Sequence, residues 1–507
     1  MGGGQLIFTL DCEENIMDKK RLVFVICLVI VLSFIGVQIS KAQELGGWSA
    51  PHRLSSEEGT SSEGFMVTDQ FGFLHVFWIE SELPDNRSII QYARFDGENW
   101  SEPLDIYATK PGGEIGFLSP AVDGQGMLHL IWTAGNNGPV FYTSAPAYDA
   151  LSAQQWSNPY RIDIPAYRVK LAVDSNNRLH ILYGNFYGQE PGVYYTRSED
   201  GAITWTDPIW LDPDIPDNRG PFDIEMGLDD AGGIHAAWNY LNPDLGFDAL
   251  RYTHSRDGGD NWELPIEIDE PDESDNELRA ARPGMIVQGQ NIYIIWAGTE
   301  DTNREFRFST DAGQTWGVPI RIFGGLHGEA IGDGRAIDAA GRLHFIGQIR
   351  WPQGLYHAYW DQNHWSVPSM VYLIAQGDKD PIGNRIHAHH VRLAIRSGNQ
   401  LITTFTNSPG EGEPLALYAM HYILDDVSPL VALPTPTPKP VVTPTPLAVD
   451  STPTPFAVAT IPTPPKFDDT ALELTSTPAP TSPLWLGLAP VLALLGGLIG
   501  FQLFRKR

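Results

Sequence analysis

The pattern Trp-x-x-Pro occurs seven times, at Trp48, Trp100, Trp156, Trp205, Trp262, Trp316 and Trp365, with successive copies 49 to 57 residues apart. A period near fifty filled with short apolar strands leaves few architectures open. Each unit is too small to bury both faces of its own sheet, so the units must stack on one another as the blades of a propeller.

The strands between the tryptophans follow a common plan. An apolar strand with a histidine inside it recurs as Leu74-His75-Val76, Leu128-His129-Leu130, Leu179-His180-Ile181, Ile234-His235-Ala236 and Leu343-His344-Phe345. Ile292-Tyr293-Ile294 and Leu401-Ile402-Thr403 take that place in the fifth and seventh repeats. A third strand follows, as in Val193-Tyr194-Tyr195-Thr196, and the tryptophan then opens a fourth. Trp48 has no strands before it, and the last repeat, ending near Tyr422, has no tryptophan strand after it. Trp48 to Leu54 is therefore expected to be the outer strand of the final blade, which joins the two termini in one sheet and removes a frayed edge. The expectation is an all-β, seven-bladed β-propeller over residues 43–430; if one repeat is a decorated insertion, the count is six.

The turn before the fourth strand reads Ser309-Thr310-Asp311-Ala312-Gly313-Gln314-Thr315-Trp316. Ser255 to Trp262 repeats it around Asp257, and Ser198 to Trp205 repeats it around Asp200 with Ala202 in the glycine place. Here the aspartate can accept amide hydrogens of its own loop, the glycine takes a φ other residues resist, and the tryptophan anchors the next strand. This turn resembles the Asp-box, or BNR, repeat of sialidase-like β-propellers. The resemblance implies a structural role for Asp200, Asp257, Asp311, Trp205, Trp262 and Trp316, on the face opposite the mouth where ligands enter. The repeated histidines are likewise expected to share a buried hydrogen bond.

Residues leading into the inner strands point toward that mouth: Arg168 and Lys170, Asp223 and Glu225, Arg282, Glu329, Arg335, His389 and Arg392, with Glu63 and Glu114 in matching loops. The resemblance implies a clamp of three arginines on a substrate carboxylate, for which Arg282, Arg335 and Arg392 are candidates with Glu225 or Glu329 near. The family's Arg-Ile-Pro signature does not occur in the chain, so no catalytic residue is carried over. The plainer reading pairs these arginines with Asp and Glu across adjacent inner strands. Tyr187, Tyr240 and Trp351, with Phe186, fall in loops on the same face and either stack on sugar rings or pack the loops. In His387-Ala388-His389-His390 the strand period turns His390 away from the other two, so no metal is assigned, and no cofactor is expected.

Charge narrows the partners. With 33 basic and 62 acidic residues the chain carries a formal charge of −29, which repels phosphate backbones and argues against nucleic acid. Lys19-Lys20-Arg21, the apolar run from Leu22 to Val37 and Ser40-Lys41-Ala42 read as a secretory signal over residues 1–42, with Met17 as an alternative start and an uncleaved anchor as the alternative role. Both cysteines, Cys12 and Cys27, fall before that cut. Residues 431–483 are rich in Thr-Pro pairs and read as an extended stalk. Residues 484–504 are uncharged and long enough to span a bilayer, and Arg505-Lys506-Arg507 form a cytoplasmic stop. A single-pass cell-membrane protein with an extracellular propeller is expected. Its leading function is recognition of a glycan or surface polysaccharide without catalysis; the alternatives are a glycan-cleaving enzyme, either a sialidase-type glycoside hydrolase or a polysaccharide lyase, and an adhesion scaffold that binds an extracellular protein.

Overall fold

Second strands such as Leu179–Asn185 and Ile234–Leu241 are buried almost from end to end, because each lies in a sheet covered on both sides by neighbouring sheets. Apolar runs without alternation suit that place. The computed structural model describes residues 47–186, 191–213, 220–241, 247–269, 281–297, 304–324, 332–350, 353–373, 389–408 and 413–435. Their strands form seven antiparallel sheets. Blade three shows the plan: inner strand Arg168–Val173, then Leu179–Asn185, Gly192–Ser198 and the short outer strand Ile209–Trp210. The outer strand begins only after Pro208, which has no amide hydrogen to give the ladder.

The ring closes as the unmatched ends require. His52–Arg53 pairs with Ala416–Ile423, His52 opposite Ala419 and Arg53 opposite Tyr418. The Ser49 amide donates to the His421 carbonyl at 2.9 Å and the Leu54 amide to the Leu417 carbonyl at 2.8 Å, extending the seam. Trp48 is 2% exposed and stacks on Tyr422 at 5.4 Å. The count is seven blades, not six.

The Asp turns bond as their sequence suggests. Ser309 Oγ donates to Asp311 Oδ1 at 2.7 Å, the Gly313 amide donates to Ser309 Oγ at 2.9 Å, and the Thr315 amide donates to Asp311 Oδ1 at 2.8 Å. Hydrogen bonds from Thr204, Asn261 and Thr315 hold the carboxyls of Asp200, Asp257 and Asp311 down at about 2. Gly313 has φ +81°, and a Cβ there would run into the Tyr252 hydroxyl of the preceding blade. Trp316 meets the same tyrosine edge-on at 4.9 Å, and Trp262 meets Tyr195 at 5.0 Å. Each turn thus fastens one blade to the one before.

The repeated histidines lie behind these tyrosines in a buried chain of polar contacts. His75 Nδ1 is 2.8 Å from Tyr92 Oη, and its Nε2 is 3.2 Å from Asp69 Oδ2. The other Asp69 oxygen accepts the amides of Phe71 and Phe73, closing the turn between first and second strands. The chain recurs as Asp123, His129 and Tyr142, as Asp174, His180 and Tyr195, and as Asp229, His235 and Tyr252. In blade six His357 replaces the tyrosine, 2.9 Å from His344. Past the last blade the Leu430 amide bonds Ser397 and the Leu433 amide bonds Gln70, each at 2.8 Å, so the chain leaves over the ends of the inner strands.

The expected N-terminal signal, the expected Thr-Pro stalk and the C-terminal apolar segment lie outside the described residues, apart from 431–435 at the start of the Thr-Pro stretch. Among the described residues no helix is long and apolar enough to cross a membrane.

Candidate functional site

The inner strands all begin at one mouth of the channel. Residues two places beyond the histidine position in each second strand pair with Phe65, Ser119, Lys170, Glu225, Gly284, Gly334 and Arg392, which puts these seven on one level. Above and around that level is a cavity of about 220 Å³. Its basic lining is Arg168, Lys170, Arg282, Arg335 and Arg392; its acidic lining is Glu63, Asp223, Glu225 and Asp333. Phe65, Phe117 and His390 complete the parts that bear on its chemistry.

Most of these charges are already matched, as the plainer sequence reading expects. Arg168 Nε is 3.4 Å from Asp223 Oδ1, and Lys170 Nζ is 2.9 Å from Glu225 Oε2, both between adjacent blades. Arg392 pairs with Glu63 across the seam between blades seven and one. Arg335 reaches further: its Nη2 donates to Glu225 Oε1 at 2.9 Å, from blade six to blade four. It passes over Gly284 of blade five, where a Cβ would fall inside the guanidinium. Asp333 is held by Arg304, a 1%-exposed residue of blade five whose Nη2 donates to Asp333 Oδ1 at 3.0 Å. Since Arg304 does not line the cavity, Asp333 arrives there already neutralised.

Arg282 stands apart. It lines the cavity, and no hydrogen bond or ion pair joins it among the described residues. Among the described residues that line the cavity, basic groups therefore outnumber acidic ones in a strongly acidic protein. Electrostatics inside follow from this. Burial raises the Glu225 carboxyl, but Lys170, Arg335 and Arg392 outweigh it and hold the group below its ordinary value. Glu63 behaves alike, with burial opposed by Arg392 and His390. Burial pushes the His390 imidazole down, and the attraction of Glu63 does not offset it, so the ring is neutral at neutral pH.

Two bulges shape the basic side. Register shifts between Ala281 and Gly284 in blade five and between His389 and Arg392 in blade seven. Inside them Arg282 has φ 51° and His390 has φ 52°. A left-handed conformation at a residue other than glycine costs about 1–3 kcal/mol and gathers at functional sites. His390 and Arg392, two residues apart, line the cavity together. The sequence reading placed His389 rather than His390 among the site residues; only the backbone of His389 is described, pairing with Thr406. Glu329, Tyr187 and Trp351 lie outside the described residues.

Tyr240 is a correction. It is fully buried within the second strand of blade four, and its hydroxyl donates to Asp212 Oδ2 at 2.6 Å. The strand Ile234–Leu241 runs past it, so it never reaches the loop and cannot be a platform. The rings at this mouth are others. Tyr167 lies 5.6 Å from Phe117, 5.5 Å from Phe186 and 5.9 Å from Phe222, and all four are partly exposed. The sequence reading named only Phe186 of this cluster, because its members come from three blades. Among the described residues no group of side chains is arranged to hold a metal ion.

No protein-family model matches the chain, and no curated protein is similar to it in sequence. Among solved structures it is similar to the polysaccharide lyase Uly1, with a TM-score of 0.51 and 10% identity over 75% of this chain and 100% of that one. Phage phi92 endosialidase matches with a TM-score of 0.45 and 12% identity, over 85% and 77% of the two chains. The Hadza microbial sialidase Hz136 matches with a TM-score of 0.41 and 14% identity, over 73% and 67%. At such identities the likeness concerns the fold. In fold, the chain is a seven-bladed β-propeller.

Proposed function

We propose that the cavity binds an acidic glycan or polysaccharide, gripping its carboxylate, and releases it uncleaved. The observation that carries this reading is Arg282: a cation with no hydrogen bond or ion pair among the described residues, held in a strained bulge and lining the cavity with Arg392 and His390. An arginine left without a counter-ion in a partly dehydrated cavity favours a planar anion that accepts two hydrogen bonds. Against hydrolysis stand the two glutamates, which their basic neighbours keep ionised and so unfit to donate a proton. Among the described residues lining the cavity there is no tyrosine to serve as the nucleophile that the family resemblance implies. The solved structures similar in fold carry names of lyases and sialidases, which agrees with a carbohydrate ligand.

One observation favours a second reading. His390 is neutral and under the electrostatic influence of Arg282, an arrangement suited to removing the proton next to a neutralised carboxylate, as a lyase must. Incubation of the full-length protein with acidic polysaccharides, recording binding and the ultraviolet absorbance of unsaturated uronate in the same samples, separates the two. Binding without new absorbance supports recognition; turnover lost in His390→Ala supports the lyase; neither moves the assignment to a protein partner.

The segment 484–504 and the Thr-Pro stretch support a membrane tether that displays the propeller outside the cell. The described chain ends on the face opposite the cavity. Proteinase treatment of intact cells tests the topology: release of the propeller supports it, and full protection contradicts it.

A further inference from the structure

Blades two to four carry an arrangement that carboxylate binding does not use. The Arg168 guanidinium carbon lies 3.3 Å from the Phe117 ring centre, 4.5 Å from Tyr167 and 5.0 Å from Phe222. Arg168 and Asp223 pair at 3.4 Å through one atom each, while Arg168 Nη1 and Asp223 Oδ2 are buried without a hydrogen-bond partner among the described residues. An unmet donor beside an unmet acceptor is costly in a structure that satisfies nearly all buried polar groups. Adjacent sugar hydroxyls, which both donate and accept, answer the two at once. Phe117, Arg168 and Asp223 line the cavity, whereas Tyr167 and Phe222 lie beyond its edge.

We propose that Tyr167 and Phe222, with Arg168 and Asp223 between them and the cavity, form a second subsite that takes the flat apolar face and paired hydroxyls of the neighbouring sugar in the same chain. The ligand is then an extended acidic oligosaccharide running from the arginines of blades five to seven across to blades two to four. This rests on the reading that the cavity binds an acidic sugar, and the test keeps the two apart.

The full-length protein is titrated with monomers, dimers and tetramers of galacturonate, of mannuronate and of the hyaluronan disaccharide unit. The expected result is that for at least one series the tetramer binds about tenfold tighter than the monomer, the scale of one or two good ring contacts. Tyr167→Leu and Phe222→Leu, which keep apolar volume but lose the flat ring, remove that gain and leave monomer affinity unchanged; unchanged melting temperatures show that both variants fold. Equal binding of monomer and tetramer, or a length gain that survives both substitutions, overturns the second subsite while leaving the cavity assignment intact. Failure of every series to bind overturns the cavity reading and this inference with it.

Discussion

At one end of the inner strands the blades are nearly copies of each other, and at the other end hardly two are alike. The closing turns carry an aspartate, a histidine and a ring in five blades, with the histidine set between the other two each time. At the opposite mouth the equivalent level holds Phe65, Ser119, Lys170, Glu225, two glycines and Arg392. What every blade needs in order to stack is repeated, whereas a single ligand on the ring axis meets each blade from a different side. Repetition therefore marks the frame and divergence marks the site. Substitutions at the first end should cost stability alone, and those at the second should cost binding.

The largest expected effect is at the frame. Tyr252 is buried beneath His235, Gly313 and Trp316, so Tyr252→Ala should destabilise by about 3–5 kcal/mol in denaturant titration, with binding per folded molecule unchanged. Gly284→Ala breaks the comparison on purpose, since it displaces Arg335 from Glu225 at the mouth and should reduce both properties, by up to about 3–5 kcal/mol in stability for a buried pair opened. Unaltered stability there would mean that Arg335 finds an equivalent route.

The histidines give the frame a pH signature. Burial lowers His180 and His235 from 6.5 to about 4 despite their aspartates. Between those limits the unfolded chain binds more protons than the folded one, so stability is full above pH 6.5 and falls as pH drops toward 4. Each histidine contributes about 1.4 kcal/mol per pH unit in that window. His180→Gln should flatten the slope of melting temperature against pH; an unchanged slope would place the titration elsewhere. The smallest effect on folding is expected from Arg282→Ala, within about 0.5 kcal/mol, because no hydrogen bond or ion pair joins Arg282 among the described residues. Its binding loss should reach about tenfold or more, read by titration with the acidic sugar.

The fold was legible because blade period, turn and strand signals are local. Trp48 and the unmatched last repeat even located the closing seam. The fixed spacing Asp69 to His75, repeated at Asp123, Asp174, Asp229 and Asp338, was also there to be read and would have revealed the polar chain in advance. The site was legible only in part. Arg168, Asp223, Glu225, Arg282, Arg335 and Arg392 do line one cavity. The reach of Arg335 over Gly284 joins three blades, however, and nothing local encodes it. The bulges at Arg282 and His390 shift the strand period by a residue that polarity alone does not reveal, and Tyr240 was misplaced because its strand runs longer than its composition suggests.

The measurement that bears most directly on the central claim is a calorimetric titration of the full-length protein with an acidic oligosaccharide and with the same oligosaccharide after reduction of its carboxyl groups to alcohols. If the basic mouth grips a carboxylate, the acidic form binds, weakens as salt is raised, and loses its advantage in Arg282→Ala, while the reduced form binds poorly. Equal, salt-insensitive binding of the two forms would contradict a carboxylate grip at this mouth.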